Sequence, residues 1–481
     1  MIYFCALRNK KKNISLEKIL VTDYAAEGKS LARVDGKVIF VENAIPGDIV
    51  NIRLTKNKKD WAEGQVLSID QYSPDRVKPF CTHFGICGGC QWQMLPYEKQ
   101  LYYKQKQVED ALKRIGKITL PEIRPIIGAV NTTGYRNKIE YTFSNKRFLL
   151  REELQDPQVS STQNVAGFHA KGIFDKVVDI DICHLQAEPT NRIRKAIKQW
   201  GIENKVSFYD IFQHRGFLRT MQVRLCTTGE IMVNIVFGEE DEKKIHALLD
   251  HVLNLFPEIT TILYTINPKK NDSLHDLFPQ VYYGKGYVIE NLSTAPGGKS
   301  LHFKIGPKSF FQTNTRQAER LYQVTKDFAA LNGSETIYDL YCGTGSIGIF
   351  LSEMAKKIIG VELIDEAIED ARENASFNKI EHAHFFTGEV SGICNDSFFE
   401  EHGKPDLIIT DPPRAGMSEK LTRKILEIEA PRIVYVSCNP ATQARDLGLL
   451  DEKYIIEKIQ PVDMFPHTLH IENVALLRRK N

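Results

Sequence analysis

The stretch Thr336–Gly348, TIYDLYCGTGSIG, decides the fold. Ile337, Tyr338 and Leu340 make a short apolar run of the length a buried parallel strand uses. Gly343, Gly345 and Gly348 then interrupt it, and Ile349, Phe350 and Leu351 open a helix-like run. Glycines between a strand and a helix let a ligand approach free backbone N–H groups. On an open parallel sheet such a turn lies in the ligand crevice. A second strand, Lys357–Val361, delivers Glu362 where it can accept hydrogen bonds from ribose hydroxyls. A G-x-G turn by itself is equally a plain turn. The acid, with no phosphate-grasping lysine, favours a nucleoside such as S-adenosylmethionine over a nucleotide phosphate, with NAD as the competing reading.

The surrounding pattern from Leu301 onward is α/β. Asn314 or Thr315 caps a helix that carries Ala318, Leu321, Val324 and Phe328 on one face and ends before Gly333. Asp365 caps another with Ala367, Ile368, Ala371 and Ala375. Leu407–Thr410 and Ile433–Val436 read as further buried strands. Strands alternating with helices of this length predict a doubly wound parallel sheet.

The whole chain has 481 residues, enough for two to four domains. Its hydrophobic content of 42% and charged content of 26% are those of a globular protein. A net charge of +2 leaves nucleic acid open as a partner, because clustering of basic residues matters more than their sum. Lys10–Lys12 and the Arg53–Lys59 group are such clusters, and each alone reads as a solvated face. No apolar stretch approaches the ~20 residues of a membrane span, and the N-terminus lacks the order of a signal peptide. A cytoplasmic protein with no membrane partner is expected. Nine cysteines in a reducing compartment point to metal binding or catalysis rather than disulfides.

Residues 14–69 read as short strands (Ile19–Val21, Val38–Val41, Ile49–Leu54, Gln65–Ile69) with Gly and Pro turns at Glu27–Gly28, Asp35–Gly36 and Pro46–Asp48. That predicts a small barrel of oligonucleotide-binding type, in which Trp61 and the Arg53–Lys59 cluster supply a stacking ring and charge. Tyr97–Ile115 is amphipathic, with Leu101, Val108, Leu112 and Ile115 at helical spacing before Gly116. Tyr135–Tyr287 is a mixed region in which the polar segment Arg151–Asn164 reads as a mobile loop. In Gln213–Arg224, Arg215, Arg219 and Arg224 alternate with apolar residues, which suits either a phosphate-binding face or a solvated sheet edge.

Four further motifs bear chemistry. Asp411-Pro412-Pro413-Arg414 follows a buried strand, and its prolines end the ladder so that Asp411 is held at the sheet's carboxyl edge. Cys438, in Ser437-Cys438-Asn439-Pro440, falls at the same edge, a position suited to a nucleophile. Glu472 lies in the apolar run His470–Val474, where pattern alone favours a surface-facing side chain over a buried base. The glycine-spaced knuckle Cys81-x5-Cys87-x2-Cys90 is a metal signal whose fourth ligand is best supplied by Cys183, with His83 and His184 as rivals. Zinc and iron–sulfur remain open. A single C-x2-C pair with one further cysteine favours a [4Fe-4S] cluster.

Together these elements resemble the S-adenosylmethionine-dependent RNA uridine-C5 methyltransferases. The nearest branch carries an N-terminal TRAM barrel and an iron–sulfur cluster, as in the bacterial 23S ribosomal RNA (uracil-5-)-methyltransferases. The resemblance spans nearly the whole chain: the barrel, the knuckle, Ser309–Asn314 (SFFQTN), Asp339–Gly348, DPPR, SCNP and HIEN. It implies a TRAM OB-like barrel over 12–71, a knuckle and helix over 72–125, a central α+β RNA-binding domain over 126–300, and a class I Rossmann-like methyltransferase domain over 301–481. It further implies that Gln312, Tyr341, Glu362 and Asp411 contact S-adenosylmethionine, that Cys438 is the nucleophile and that Glu472 is the general base, which reverses the surface reading of Glu472. Cys81, Cys87, Cys90 and Cys183 would hold a [4Fe-4S] cluster. Ser346 stands where some relatives carry Asn.

The implied reaction is methylation of carbon 5 of a uridine in 23S ribosomal RNA by a monomer, with the transfer-RNA uridine enzyme as the nearest alternative. A non-catalytic RNA-binding iron–sulfur protein is the reading from another class. The joint presence of Cys438 and Glu472 argues against it. An amino-group methyltransferase would carry an aromatic residue where Arg414 stands.

Overall fold

A computed structural model describes residues 14–25, 28–295 and 297–481. The chain forms two compact units. One runs to Gly85 and takes in Gln91–Tyr103; the other takes in Ile86–Cys90 and Lys104–Asn481. The basic run Lys10–Lys12 and the turn residue Glu27 lie outside the described residues.

The first unit holds a closed barrel of β1 (Ser15–Tyr24), β2 (Ser30–Val34), β3 (Lys37–Glu42), β4 (Ile49–Asn57) and β5 (Trp61–Gln71), in the order β1-β2-β3-β5-β4. Alternate residues fill it, among them Ile39 and Val41, then Val50 and Ile52, as the two-residue period of a strand requires. Asp48 is fully buried yet satisfied. It accepts the N–H groups of Ile45 (2.8 Å) and Ser73 (2.9 Å) and pairs with Arg76. Trp61 is half-buried and packs edge-on against Phe40.

Helix α1 (Tyr97–Ala111) runs on through a short π-helical turn, Leu112–Gly116. Val108 and Leu112 are buried as expected, whereas Ile115 is exposed.

In the second unit, the central sheet contains β6 (Lys138–Lys146), β7 (Thr162–His169), β8 (Val177–Asp179), β9 (Leu218–Leu225), β10 (Ile231–Phe237), β11 (Thr261–Ile266) and β12 (Gln280–Tyr283). Their spatial order is β12-β11-β10-β9-β6-β7-β8. Helices α2 (Thr190–Glu203) and α3 (Glu242–Leu255) contribute Ile193, Ile197, Leu248 and Leu249 to its core. Strand β9 sits in mid-sheet and is buried almost throughout, which corrects the reading of its arginines. Arg219 donates to Asp272 (2.7 Å) and to the carbonyls of Asn267, Lys269 and Asn271, and stacks over Tyr209. Arg224 is also buried and donates to the Ser309 carbonyl at 3.2 Å. Of the three arginines, only Arg215 is exposed. The polar segment read as a loop contains a 3-10 turn, Glu153–Gln155, tied to Arg147 at 2.5 Å.

A hairpin of β13 (Val288–Ser293) and β14 (Ser300–Ile305) leads into the C-terminal α/β layer. There α4 (Thr315–Ala329) precedes β15 (Thr336–Leu340), α5 (Ser346–Leu351), β16 (Lys357–Glu362), α6 (Asp365–Phe377) and β17 (Ala383–Thr387). After α7 (Val390–Ile393) and α8 (Asp396–His402) come β18 (Leu407–Thr410), α9 (Glu419–Ile428), β19 (Arg432–Ser437), α10 (Pro440–Leu450), β20 (Tyr454–Val462) and β21 (Glu472–Arg479). The sheet order is β17-β16-β15-β18-β19-β21-β20, with β21 alone running antiparallel to both neighbours. Ile337 and Ile409 face the α4–α5–α6 layer, while Tyr338, Leu340 and Ile408 face α9 and α10. Both faces are covered, so the strands are apolar on both sides. Asn314 caps α4 by accepting the Gln317 N–H. Asp365 is not the cap of α6 but its first residue, where its charge complements the helix dipole. Among the described residues no helix is long and apolar enough to cross a membrane.

Candidate active site

The strand-to-helix turn after β15 is built around a buried acid that the motif reading passed over. Asp339 is 1% exposed, and its Oδ2 accepts the Gly348 N–H at 2.9 Å. A Cβ on residue 348 would stand 3.1 Å from that same oxygen and 3.0 Å from Ile358 Cγ2, so glycine leaves the room this bond uses. Gly345, at φ 75°, turns the chain into α5, and a side chain there would press on the Phe385 ring at 3.0 Å. Ser346 shares a 2.9 Å hydrogen bond with the Tyr322 hydroxyl. Tyr341, half-buried, takes the left-handed conformation (φ 62°), uncommon for a bulky residue.

Glu362 ends β16 and locks the neighbouring turns. Its Oε2 accepts from Gly343 N at 3.3 Å, and its Oε1 accepts from Leu363 N and Ile364 N. Gln312 lies half-buried ahead of α4, and its carbonyl accepts from Asn137 Nδ2 at 2.9 Å. Asp411 follows β18 directly, its N–H reaching the Leu340 carbonyl at 3.4 Å. Gln312, Tyr341, Glu362 and Asp411 are thus set on the segments that border the carboxyl edge of the sheet.

Cys438 and Glu472 meet that edge from adjacent strands. Ser437 on β19 pairs with Asn473 on β21, so Cys438, one residue beyond, is beside Glu472, one residue before. The turn holding Cys438 is fixed on both sides. Asn439 caps α10 by accepting the Ala441 N–H, Pro440 opens the helix, and Ser437 Oγ accepts the Asn439 N–H at 3.1 Å. Asn439 Nδ2 and Thr442 Oγ1 donate to the Arg414 carbonyl at 3.0 and 3.3 Å, joining the SCNP turn to the DPPR turn.

Glu472 is 4% exposed, so the surface reading from its alternating pattern is wrong. Strand β21 has a neighbour on each side and a helical layer on at least one face, and alternation carries no exposure there.

Acidic groups crowd the crevice, and burial holds their protons on. Desolvation, and then Asp411, push the Glu472 carboxyl well above the usual carboxylate range, while the Arg414 guanidinium opposes them. Desolvation raises Asp411 to about 7 and Asp339 to about 7, where Asp411 and Glu362 add to it. The Cys438 thiol is pushed up to about 12 by desolvation first, then by Glu472 and Asp411. His470, 3.1 Å from Arg414 Nη2, is depressed to about 4 by desolvation and by that cation. A cation bound among these carboxyls would favour their ionised form. The donor set fits the adenosyl sulfonium expected from the sequence: Asp339 Oδ1 is buried with no hydrogen-bond partner among the described residues, and Glu362 ends β16 at the carboxyl edge of the sheet.

The loop leading to Glu472 is anchored by a residue that sequence reading missed. Lys104 of α1 is fully buried; its Nζ lies 2.6 Å from Asp463 Oδ1 and 3.0 Å from the Phe465 carbonyl. Gln317 donates to the Asp463 carbonyl, Asn314 to that of Met464 and Tyr135 to that of Pro466. The signal was present, because Lys104 falls on the apolar stripe of Leu101, Val108 and Leu112.

The four cysteines read as metal ligands divide between the two units. In the first unit, Cys81 donates its N–H to Gln93 Oε1 at 3.2 Å. In the second unit, Cys87 bridges to Ala170 and packs with Cys183 on Val178 and Ile180, and Cys90 borders the central core. Among the described residues no group of three or more His, Cys, Asp or Glu is placed to hold a metal ion. The [4Fe-4S] expectation at Cys81, Cys87, Cys90 and Cys183 gains no support, since spacing marks thiols that a fold can gather without itself gathering them.

The sequence profile of the tRNA (uracil-5-)-methyltransferase family matches residues 278–480, and that of the TRAM domain matches residues 11–67. An uncharacterized RNA methyltransferase from Bacteroides thetaiotaomicron is 49% identical over 94% of this chain and 99% of its own. One from Porphyromonas gingivalis is 48% identical over 95% and 99%. The crystal structure of Pyrococcus abyssi tRNA (uracil-54, C5)-methyltransferase with S-adenosyl-L-homocysteine superposes with a TM-score of 0.73 at 28% identity, covering 95% of this chain and 99% of that one.

Proposed function

As this chain belongs to the tRNA (uracil-5-)-methyltransferase family of S-adenosylmethionine-dependent RNA methyltransferases, we propose that it methylates carbon 5 of a uridine in 23S ribosomal RNA, with Cys438 as nucleophile and Glu472 as general base. The observation that supports this reading is the β19–β21 register, which sets a thiol and a buried carboxyl side by side at the crevice.

Carbon 5 of uracil is a poor nucleophile, and a thiol addition cures that. The Cys438 thiol gives its proton to water and its sulfur bonds to carbon 6. The C5–C6 double bond opens, and carbon 5 gains enolate character through the carbonyl at carbon 4. S-adenosylmethionine, when bound, would supply an electrophilic methyl group whose bond to the sulfonium sulfur breaks as carbon 5 takes it, the neutral sulfur leaving with the electron pair. Glu472 then takes the proton left on carbon 5, the C5–C6 double bond re-forms, and the Cys438 sulfur leaves with its electron pair. Gln312, Tyr341, Glu362 and Asp411 are assigned to holding the cofactor, with Glu362 on the ribose. The target base must leave any stack to reach both reagents, and the barrel and central domain are assigned to holding the RNA.

A second reading, a uridine of transfer RNA, is favoured by the likeness to the Pyrococcus enzyme. Mapping 5-methyluridine in ribosomal and transfer RNA from cells lacking the gene decides between them. Loss of one site in 23S RNA supports the first reading, loss in transfer RNA the second, and no loss in either removes both. The [4Fe-4S] assignment is a separate proposal resting on the sequence alone. Anaerobically purified protein should contain about four irons per chain; one zinc or no metal removes it.

A further inference from the structure

A cleft of about 660 Å³ opens in the second unit between the central sheet and the start of α6, within the size range of small-ligand sites. It borders the candidate active site on two sides. Ser309 and Phe310 precede Gln312, and Ile364 follows Glu362.

Most charged groups on its walls are already engaged. Asp272 pairs with Arg219 at 2.7 Å, and Lys308 donates to the His275 carbonyl at 2.7 Å and approaches Glu366 at 3.7 Å. Asp370 is hydrogen-bonded to Ser309. Three groups on one face of the sheet are not. Lys138 and Glu140 lie two residues apart on β6, so both point to the cleft side, yet neither side chain has a hydrogen bond or an ion pair within 4.0 Å among the described residues. Gln222, directly opposite Glu140 in the ladder, is 6% exposed, and its buried Oε1 has no partner. A buried polar atom left unpaired is costly. At the mouth stands Phe310, a large ring left 69% exposed.

This inventory is specific. It offers a carboxylate and an amide oxygen as acceptors, an ammonium as donor two residues along, and a flat ring. Guanine alone among the four bases carries adjacent donors, N1–H and the N2 amino group, beside an acceptor, O6. A carboxylate can take both donors as a pair. Adenine and cytosine offer one amino group beside a ring acceptor, and uracil a single N–H between two oxygens. Resting on the reading above that the substrate is RNA, we propose that this cleft is a specificity subsite that takes one unpaired guanine of the substrate strand, held by Glu140 and Gln222 at its donors and Lys138 at O6, with its face on Phe310.

The test uses binding rather than catalysis. A random-sequence 20-nucleotide RNA pool is retained on the full-length protein and sequenced, for wild type, Glu140→Gln and Lys138→Met. Wild type should enrich a motif containing one guanine. Inosine at that position, lacking the N2 amino group, should bind about tenfold more weakly to wild type and equally well to Glu140→Gln. No guanine enrichment by wild type, or an inosine penalty that survives in Glu140→Gln, overturns the subsite. Glu140 is exposed at the surface, so its replacement does not threaten folding; Lys138→Met, which should lose the guanine preference while keeping overall retention, gives an independent variant. Methylation of bulk RNA by the same preparations separates the two proposals: a chain that methylates without guanine preference loses only the subsite, and one that does not methylate loses the reading of function.

Discussion

Ser437 and Asn473 face each other on β19 and β21, and this pair places Cys438 and Glu472 side by side at one edge of the sheet. The turn that carries the thiol is fixed to the DPPR turn through the Arg414 carbonyl. The loop that carries the acid is fixed to α1 and α4 through Lys104, Asn314 and Gln317. The thiol and the acid are thus held by separate scaffolds that converge, the preorganisation that the proposed reaction requires.

Glu472→Gln keeps the volume and polarity of the side chain and removes its capacity to accept a proton. Addition and methyl transfer should still proceed, whereas release of the product stalls. Turnover is expected to fall by about 10²–10⁴-fold, with a methylated protein–RNA adduct surviving on a denaturing gel. Wild-type turnover by this variant removes Glu472 from the base role.

Lys104→Met removes the ammonium paired with the buried Asp463 carboxylate. A loss of about 3–5 kcal/mol of stability in denaturant unfolding is expected, and Lys104→Met combined with Asp463→Leu should recover most of it. Because the same pair holds the loop before Glu472, the single variant should lose kcat more than KM. A single variant as stable and active as wild type contradicts the anchoring role.

Asp339 carries a pH signature. Its folded-state pKa, about 7, lies above the unfolded value near 4, so the folded chain binds the proton more tightly. The stabilising effect of the neutral form is present below about pH 4 and is lost as pH rises through 4 to 7. Asp339→Asn, which keeps the acceptor for Gly348, should therefore unfold about 1–3 kcal/mol later than wild type at pH 8, with the difference vanishing toward pH 4. In the same variant, S-adenosylmethionine affinity by calorimetry should drop at least about tenfold. A pH-independent difference contradicts the assignment.

Much of this site is written locally. The glycine turn, the prolines after Asp411 and the Asn439-Pro440 helix start each place a residue at the carboxyl edge by backbone geometry alone, and the Ile337/Tyr338 alternation between two cores follows from a doubly covered strand. What was misread depends on partners distant in sequence. Arg219, Arg224 and Glu472 alternate as exposed residues do, yet each lies on a strand flanked by two others, and which strands flank it is fixed by sheet order. Asp339 and Lys104 carry charge at apolar positions, a signal that marks burial but names no partner. The cysteines show the converse: conspicuous in spacing, they are not gathered into a metal-binding group among the described residues.

The most direct test of the central claim is mass analysis of the protein incubated with S-adenosylmethionine and an RNA substrate carrying 5-fluorouridine at the target. Fluorine at carbon 5 cannot be removed as a proton, so the account predicts a denaturation-stable complex of one RNA per chain, cross-linked through Cys438 and absent from Cys438→Ala. Methylation of ordinary RNA without any such complex, or a complex that persists in Cys438→Ala, would contradict it.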